Sequence, residues 1–199
     1  WNSICINPSY EANLKTITLP EGIKIEADCG PHASHLPYGC KIYGPNASPD
    51  HACWIVDGDL QLFAFPEDVD FYHLPSDVTK VSANLYVYGN GYSSRWNSNE
   101  VGFSTHIGVI IPSGVQEIYS VYCFQMPVFM QSSTPPSLDP HYSIGTTFDA
   151  YVVVPDGSLE DYKDKWQMDM GPNPLHTVYW YTYNYLPKEG DWFSPSYDY

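Results

Sequence analysis

Positive charge is what this chain has least of. Eight of its 199 residues are Lys or Arg against 23 Asp and Glu, for a formal net charge of −15. The eight form no cluster, and a surface of this sign repels a phosphate backbone, so no nucleic-acid partner is expected. Charge of either sign is sparse, at 16% of residues, below the roughly 25% usual in soluble domains. Long apolar runs are missing as well. None approaches the roughly 18 residues of a membrane-crossing helix, so no membrane span is expected in this chain. Trp1-Asn2-Ser3 opens the sequence without the charged and apolar regions of a signal peptide, which reads as a mature or trimmed product. Cysteine is thin and scattered, at Cys5, Cys29, Cys40, Cys53 and Cys123, which excludes a small disulfide scaffold. One bridge, for instance Cys29 to Cys40, is compatible with an oxidising compartment.

The usual catalytic signatures are also lacking: no G-x-S-x-G, no H-E-x-x-H and no P-loop. Gly89-Asn90-Gly91 follows a strand pattern but opens no helix, which removes a dinucleotide site. Acid pairs such as Glu67/Asp68 or Asp139/Asp149 have the chemistry of a glycosidase, yet carry no weight among 23 acids. Cys29, His32, His35 and Cys40 spell C-x2-H-x2-H-x4-C, all zinc-ligating types. Pro31, Pro37 and Gly39 make the same stretch a turn-rich loop, better read as a disulfide or as free thiols beside exposed histidines. Asp57-Gly58-Asp59 lacks the further oxygen ligands of a calcium loop. The expectation is a protein with no enzymatic activity, no cofactor and no metal.

What the chain has instead is 18 Tyr, 18 Pro and 14 Gly, a mixture that favours short strands and many turns. Four apolar stretches end in proline: Leu14–Pro20, Val69–Pro75, His106–Pro112 and Asp149–Pro155. Before each proline stand Ile17/Leu19, Tyr72/Leu74, Val109/Ile111 and Val152/Val154. This alternation with period two marks a strand with one buried face. Proline cannot donate a ladder hydrogen bond, so each one is expected to close its strand and start a turn. The four segments are expected to stack edge to edge, with Ile17, Tyr72, Val109 and Val152 in one shared interior row. Ile23, Val78 and Val115 follow three residues after their prolines.

Asp57-Gly58, between Trp54-Ile55-Val56 and Leu60-Gln61-Leu62-Phe63, predicts a tight hairpin turn, and Asn90-Gly91 a second. Hairpin insertions are thus placed at about 41–66 and 84–104. One helix is predicted, with Ser158 as N-cap, Asp161 completing a capping box, Leu159, Tyr162 and Trp166 on one face, and Gly171-Pro172 as the stop. The organisation is a repeat region over 1–167, followed by a Tyr/Pro-rich cap or tail over 168–199.

These repeats resemble the BspA-like branch of the leucine-rich repeats. The likeness lies in the strands ending in Ile-Pro or Leu-Pro followed by Glu-Gly-Ile or Ser-Gly-Val. Tyr43–Gly58 is similar to the hairpin insertion of such proteins, and Val154–Lys163 to the motif that ends their arrays. The good likeness covers about 41–83 and 105–167. It implies a β-rich right-handed solenoid of leucine-rich-repeat type, with inserted β-hairpins and one short C-terminal helix. It also implies a bacterial protein, extracellular or on the cell surface, that adheres to host proteins or other macromolecules, with no catalytic motif to carry over.

Two sets of residues are candidates for ligand contact. If Ile17, Leu19 and their counterparts point inward, then Phe71, His73, Ile110, Tyr151 and Val153 point outward and form an apolar face. The alternative is that an insertion or the tail lies across it. The second set is aromatic: Tyr88, Tyr92 and Trp96 in one loop region, Trp180 and Trp192 near the end. Tyr and Trp suit protein anchors and sugar-stacking platforms alike, though half of Tyr179–Tyr185 can equally be core. The partner is expected to be a host protein, a glycan or a sister subunit. The rival functions are a structural subunit of an outer-membrane uptake complex or virion, and a carbohydrate-binding module.

Overall fold

The computed structural model describes residues 3–4, 13–25, 36–85, 96–99, 102–119, 126–138, 150–170 and 178–194. The N-terminal part holds β1 (Ser3–Ile4), β2 (Thr16–Thr18), β3 (Lys24–Ile25) and β4 (Lys41–Tyr43). A hairpin of β5 (Cys53–Val56) and β6 (Asp59–Phe63) follows. Next come β7 (Phe71–His73), β8 (Lys80–Val81), β9 (Trp96–Asn99), β10 (Gly102–Thr105), β11 (Gly108–Ile111) and β12 (Glu117–Ile118). Last are β13 (Val128–Met130), β14 (Ser137–Leu138), β15 (Ala150–Pro155), the helix α1 (Leu159–Met170) and β16 (Val178–Tyr183). Among the described residues the architecture is mostly β, with several sheets and one helix.

Two five-stranded sheets dominate, in the orders β16-β15-β13-β11-β7 and β14-β12-β8-β6-β5. Every pair in the first is parallel, and in the second only the β5–β6 hairpin is antiparallel. From β7 to β15 the chain alternates between the two sheets, interrupted after β8 by the β9–β10 hairpin, which forms a two-stranded antiparallel sheet of its own. The same turn makes two of these passages, β7 to β8 and β11 to β12, and also follows β2 and β15. The carbonyls of Pro20, Pro75, Pro112 and Pro155 accept from the N–H groups of Ile23, Val78, Val115 and Ser158, at 3.4, 3.1, 3.2 and 3.1 Å. Val78 and Val115 are buried behind their turns. A residue that cannot continue the ladder as a donor thus ends each strand and supplies the acceptor that reverses the chain.

The expected single row divides. Tyr72, Val109 and Val152 do lie in one ladder, but Val128 stands between the last two, with Tyr72↔Val109↔Val128↔Val152↔Trp180 in register. Strand β13 escapes a search for closing prolines because Gln131, not proline, follows Met130. Ile17 is not in this ladder. It pairs with Ile42 in a two-stranded parallel sheet of β2 and β4.

The hairpin explains why its sequence is apolar on both faces. Cys53, Leu60 and Phe63 face the main core, whereas Trp54, Val56 and Leu62 face a second core built with Leu19, Ile25, Leu36 and Ile42. Its turn sits at Asp57-Gly58, both with positive φ (54° and 80°), the backbone a two-residue hairpin loop demands. In α1, Tyr162 and Trp166 are fully buried and pass their polar tips to loop carbonyls, Tyr162 to Ser132 at 2.8 Å and Trp166 to Pro136 at 2.9 Å. The expected capping box is not formed. The Ser158 hydroxyl donates back to the Pro155 carbonyl at 2.6 Å, and the Ser158 N–H is bound to the same oxygen, which leaves nothing for Asp161 to cap.

The C-terminal segment closes the outer face of the first sheet. Strand β16 extends one edge, and residues 184–194 then return across the face as a strap to the opposite edge at β7. There the Glu189 carboxylate accepts from the N–H groups of Asp70 (2.9 and 3.1 Å) and Phe71 (3.2 Å), while Gly190 N–H donates to Asp70 Oδ2 at 3.0 Å. Thr105 and Phe193 exchange backbone hydrogen bonds of 2.9 and 2.7 Å. The edge donors of β7 are thereby partly used by a carboxylate in place of a further strand.

Candidate functional site

The sheet face expected to be an apolar contact surface is covered. Phe71, Ile110, Tyr151 and Val153 are buried, together with Phe129, in a third core cluster beneath Tyr181, Tyr183, Leu186 and Phe193. The face is core rather than contact surface because β16 and the strap lay Tyr181, Tyr183, Leu186 and Phe193 on it, and the edge-to-face contact of Phe193 with Phe129 (4.9 Å between centroids) fixes the strap there. His73 alone of that set is exposed.

The aromatic candidates separate in the same way. Tyr88 and Tyr92 lie outside the described residues, and for Trp96 only its place in β9 is described. Trp180 packs against the main core beside Trp166, with ring centroids 5.6 Å apart, so it is no exposed anchor. Trp192 is different. It is 58% exposed and lies flat on His106, centroids 4.4 Å apart and planes within 8°. Tyr185, 75% exposed, stands on the same strap.

These two aromatics line a cleft of about 500 Å³ whose other walls include Asp156, Asn184 and Asp191. Asp156 opens the turn after β15, Asn184 follows β16, and Pro155↔Tyr183 pairing with the Asp156 N–H to Tyr183 carbonyl bond (2.9 Å) holds the two together. Asp191 Oδ2 accepts from Lys188 N–H at 2.9 Å and Asp191 N–H donates to the Lys188 carbonyl at 3.0 Å, which curls the strap just before Trp192. Sequence reading singles out Trp192 but misses Asp156, Asn184 and Asp191. Nothing in their spacing, with 28 to 35 residues between Asp156 and the others, signals that they meet.

The hairpin motif carries a second polar constellation, and its chemistry is structural. Asp50 accepts from the Ser48 hydroxyl, from Ala52 N–H at 3.2 Å and from the Tyr72 hydroxyl at 2.7 Å, while Ser48 Oγ accepts from Cys53 N–H at 2.9 Å. Cys53 Sγ lies 3.4 Å from the Tyr72 hydroxyl. Burial pushes the Cys53 thiol up to about 12, so it stays protonated and lacks the thiolate a nucleophile needs. Burial likewise pushes Cys40 up to about 11. Both are free thiols, so the bridge suggested from Cys40 to Cys29 is not formed. Cys29, His32 and His35 lie outside the described residues, and among the described residues no three His, Cys, Asp or Glu side chains gather as metal ligands.

Burial pushes the Asp50 carboxyl up, but the bonds from Ser48, Tyr72 and Ala52 outweigh it and hold the group below its ordinary value. A carboxylate depressed in this way stabilises the fold above its unfolded pKa, about 3.9, and that contribution is lost as pH falls through the lower folded value. Asp59, which burial pushes up, works in the opposite sense. Asp50→Ala is therefore expected to cost about 2 kcal/mol at neutral pH, because the buried Tyr72 hydroxyl loses its acceptor. The gap to the parent should narrow below about pH 4. Urea unfolding of both proteins across this range measures it, and a gap independent of pH would remove the carboxylate from the account.

Compared with models of protein families, with curated proteins and with solved structures, the chain finds no match. Among the described residues no helix is long and apolar enough to cross a membrane.

Proposed function

We propose that this chain is a non-enzymatic binding domain of the divergent BspA-like leucine-rich-repeat type, holding a macromolecular partner at a bacterial cell surface. The alternation of parallel strands β7, β8 and β11 to β15 between two sheets, with one proline turn used four times along the chain, supports a solenoid reading. Right-handed winding is the hand expected of such parallel crossovers. The sheets supply a rigid platform, and the contacts come from the strap that covers the first sheet rather than from the sheet itself. The observation that carries the reading is the pair of large aromatics, Tyr185 and Trp192, left exposed on a strap whose one other aromatic, Phe193, is packed on Phe129. Exposed Tyr and Trp on a pinned segment offer contact area at little entropic cost on binding.

With a net charge of −15, encounter with a basic patch is accelerated and the complex is salt-sensitive. The expected result is measurable association with immobilised extracellular-matrix proteins that weakens about tenfold or more from low to high salt. Recovery from its source in a fixed stoichiometry that survives high salt would instead make it a structural subunit.

A further inference from the structure

We infer that the cleft between β16 and the strap is a saccharide subsite, with Trp192 as its stacking platform. This deepens the binding role proposed above and rests on it. A pyranose ring offers two kinds of surface, an apolar face of C–H groups and a rim of hydroxyls that both donate and accept. The cleft offers the complement of each. Trp192 has one face backed by His106 and remains 58% exposed, so a flat aromatic surface is held rigidly and left open. Tyr185, at 75% exposure, provides a second aromatic wall whose hydroxyl both donates and accepts.

The planar side chains of Asp156 and Asn184 line the same space and form no hydrogen bond within the described residues, so their capacity is available to hydroxyls. A carboxylate accepts from two hydroxyls at once, and an amide donates to one while accepting from another. The cleft volume, about 500 Å³, falls within the range of small-ligand sites. Its walls are preset by the Pro155↔Tyr183 register and by the clasp of Glu189 and Gly190 with Asp70, which lowers the ordering cost of binding.

Charge selects among ligands. Asp156 and Asp191 repel uronates, sialylated glycans and phosphates, which leaves neutral oligosaccharides. A basic peptide is the competing class, but lysine side chains would not require a buttressed flat ring beside an amide.

The test probes the whole chain on an array of neutral gluco-, galacto- and manno-oligosaccharides, with polylysine and sialylated glycans alongside. The expected result is binding to at least one neutral series, weakened at least about tenfold by Trp192→Ala. Because Trp192 touches His106, Asn184→Ala provides a second variant at an exposed residue whose side chain makes no hydrogen bond within the described residues, and it should weaken binding in the same direction. Tyr43→Ala, an exposed aromatic on β4, should leave it unchanged. Capture of polylysine alone, or glycan binding insensitive to both cleft variants, would overturn the subsite. Matrix-protein binding that persists after enzymatic deglycosylation and in Trp192→Ala would overturn it while leaving the wider binding role intact. Loss of all binding, to glycans and to matrix proteins, would remove both.

Discussion

Trp54→Ala is expected to lower the unfolding free energy by about 4 kcal/mol, a large share of the roughly 5–15 kcal/mol margin of a natural domain. Trp54 is completely buried on the side of the hairpin that faces Leu19, Ile25, Ile42 and Leu62. Its Nε1–H donates to the Ile23 carbonyl at 3.0 Å, which ties β5 to the turn that follows Pro20. Truncation removes the largest side chain of a buried cluster, so a cavity term adds to the lost transfer energy. Trp54→Phe should recover most of the loss, since it refills the volume and forfeits one hydrogen bond to a carbonyl that is partly accessible to water. Urea unfolding followed by circular dichroism measures both. A loss under about 1 kcal/mol for the alanine variant would mean that the second core does not depend on this ring.

Gly44→Ala should rival that effect from the opposite cause, an added atom. Gly44 follows β4 with φ at 136°, a conformation that L side chains rarely adopt. A Cβ there would lie 2.2 Å from the Leu19 carbonyl oxygen and 2.9 Å from the Trp54 ring. The carbonyl cannot retreat freely, because the Leu19 N–H is bound to the Tyr43 carbonyl at 2.9 Å and Leu19 itself is buried. Backbone strain and a backbone clash together place the expected cost at about 3 kcal/mol or more. Gly58→Ala provides the contrast. Its φ of 80° is also positive, but the nearest atom to a new Cβ is the Thr79 hydroxyl at 2.7 Å, which can rotate away. About 1 kcal/mol is expected there. Equal effects at the two positions would show that φ alone, and not the approach of Leu19, governs Gly44.

Both positions lie in stretches whose local form could be read from the residues. Period-two alternation marks Val109/Ile111 and Val152/Val154 as strand, the prolines mark the ends, and Asp57-Gly58 marks the hairpin turn. Each of these signals acts within about four residues, through sterics and a missing N–H. The helix face of Leu159, Tyr162 and Trp166 is equally local. Its cap departs from the capping-box expectation because Ser158 satisfies the turn it belongs to before it can serve the helix. Strand β13 carries only part of the local signal. Its alternation of Met126, Val128 and Met130 is as clear as in the others, but the proline signature that groups them is absent.

The candidate site was legible only in part. Trp192 could be named as an aromatic suited to binding, yet Phe71, Ile110, Tyr151 and Val153 could be named as well, and they are core. What separates them is the clasp between Glu189 and Asp70, 119 residues apart, which lays the strap over one set and lifts the other to the surface. Composition and short-range pattern set the kind of protein: acidic, rich in short strands, turned at proline and glycine. Which aromatics are buried and which carboxylates share a cleft was decided by contacts distant in sequence. Such contacts depend on burial and edge pairing, and neither leaves a periodic trace in the chain.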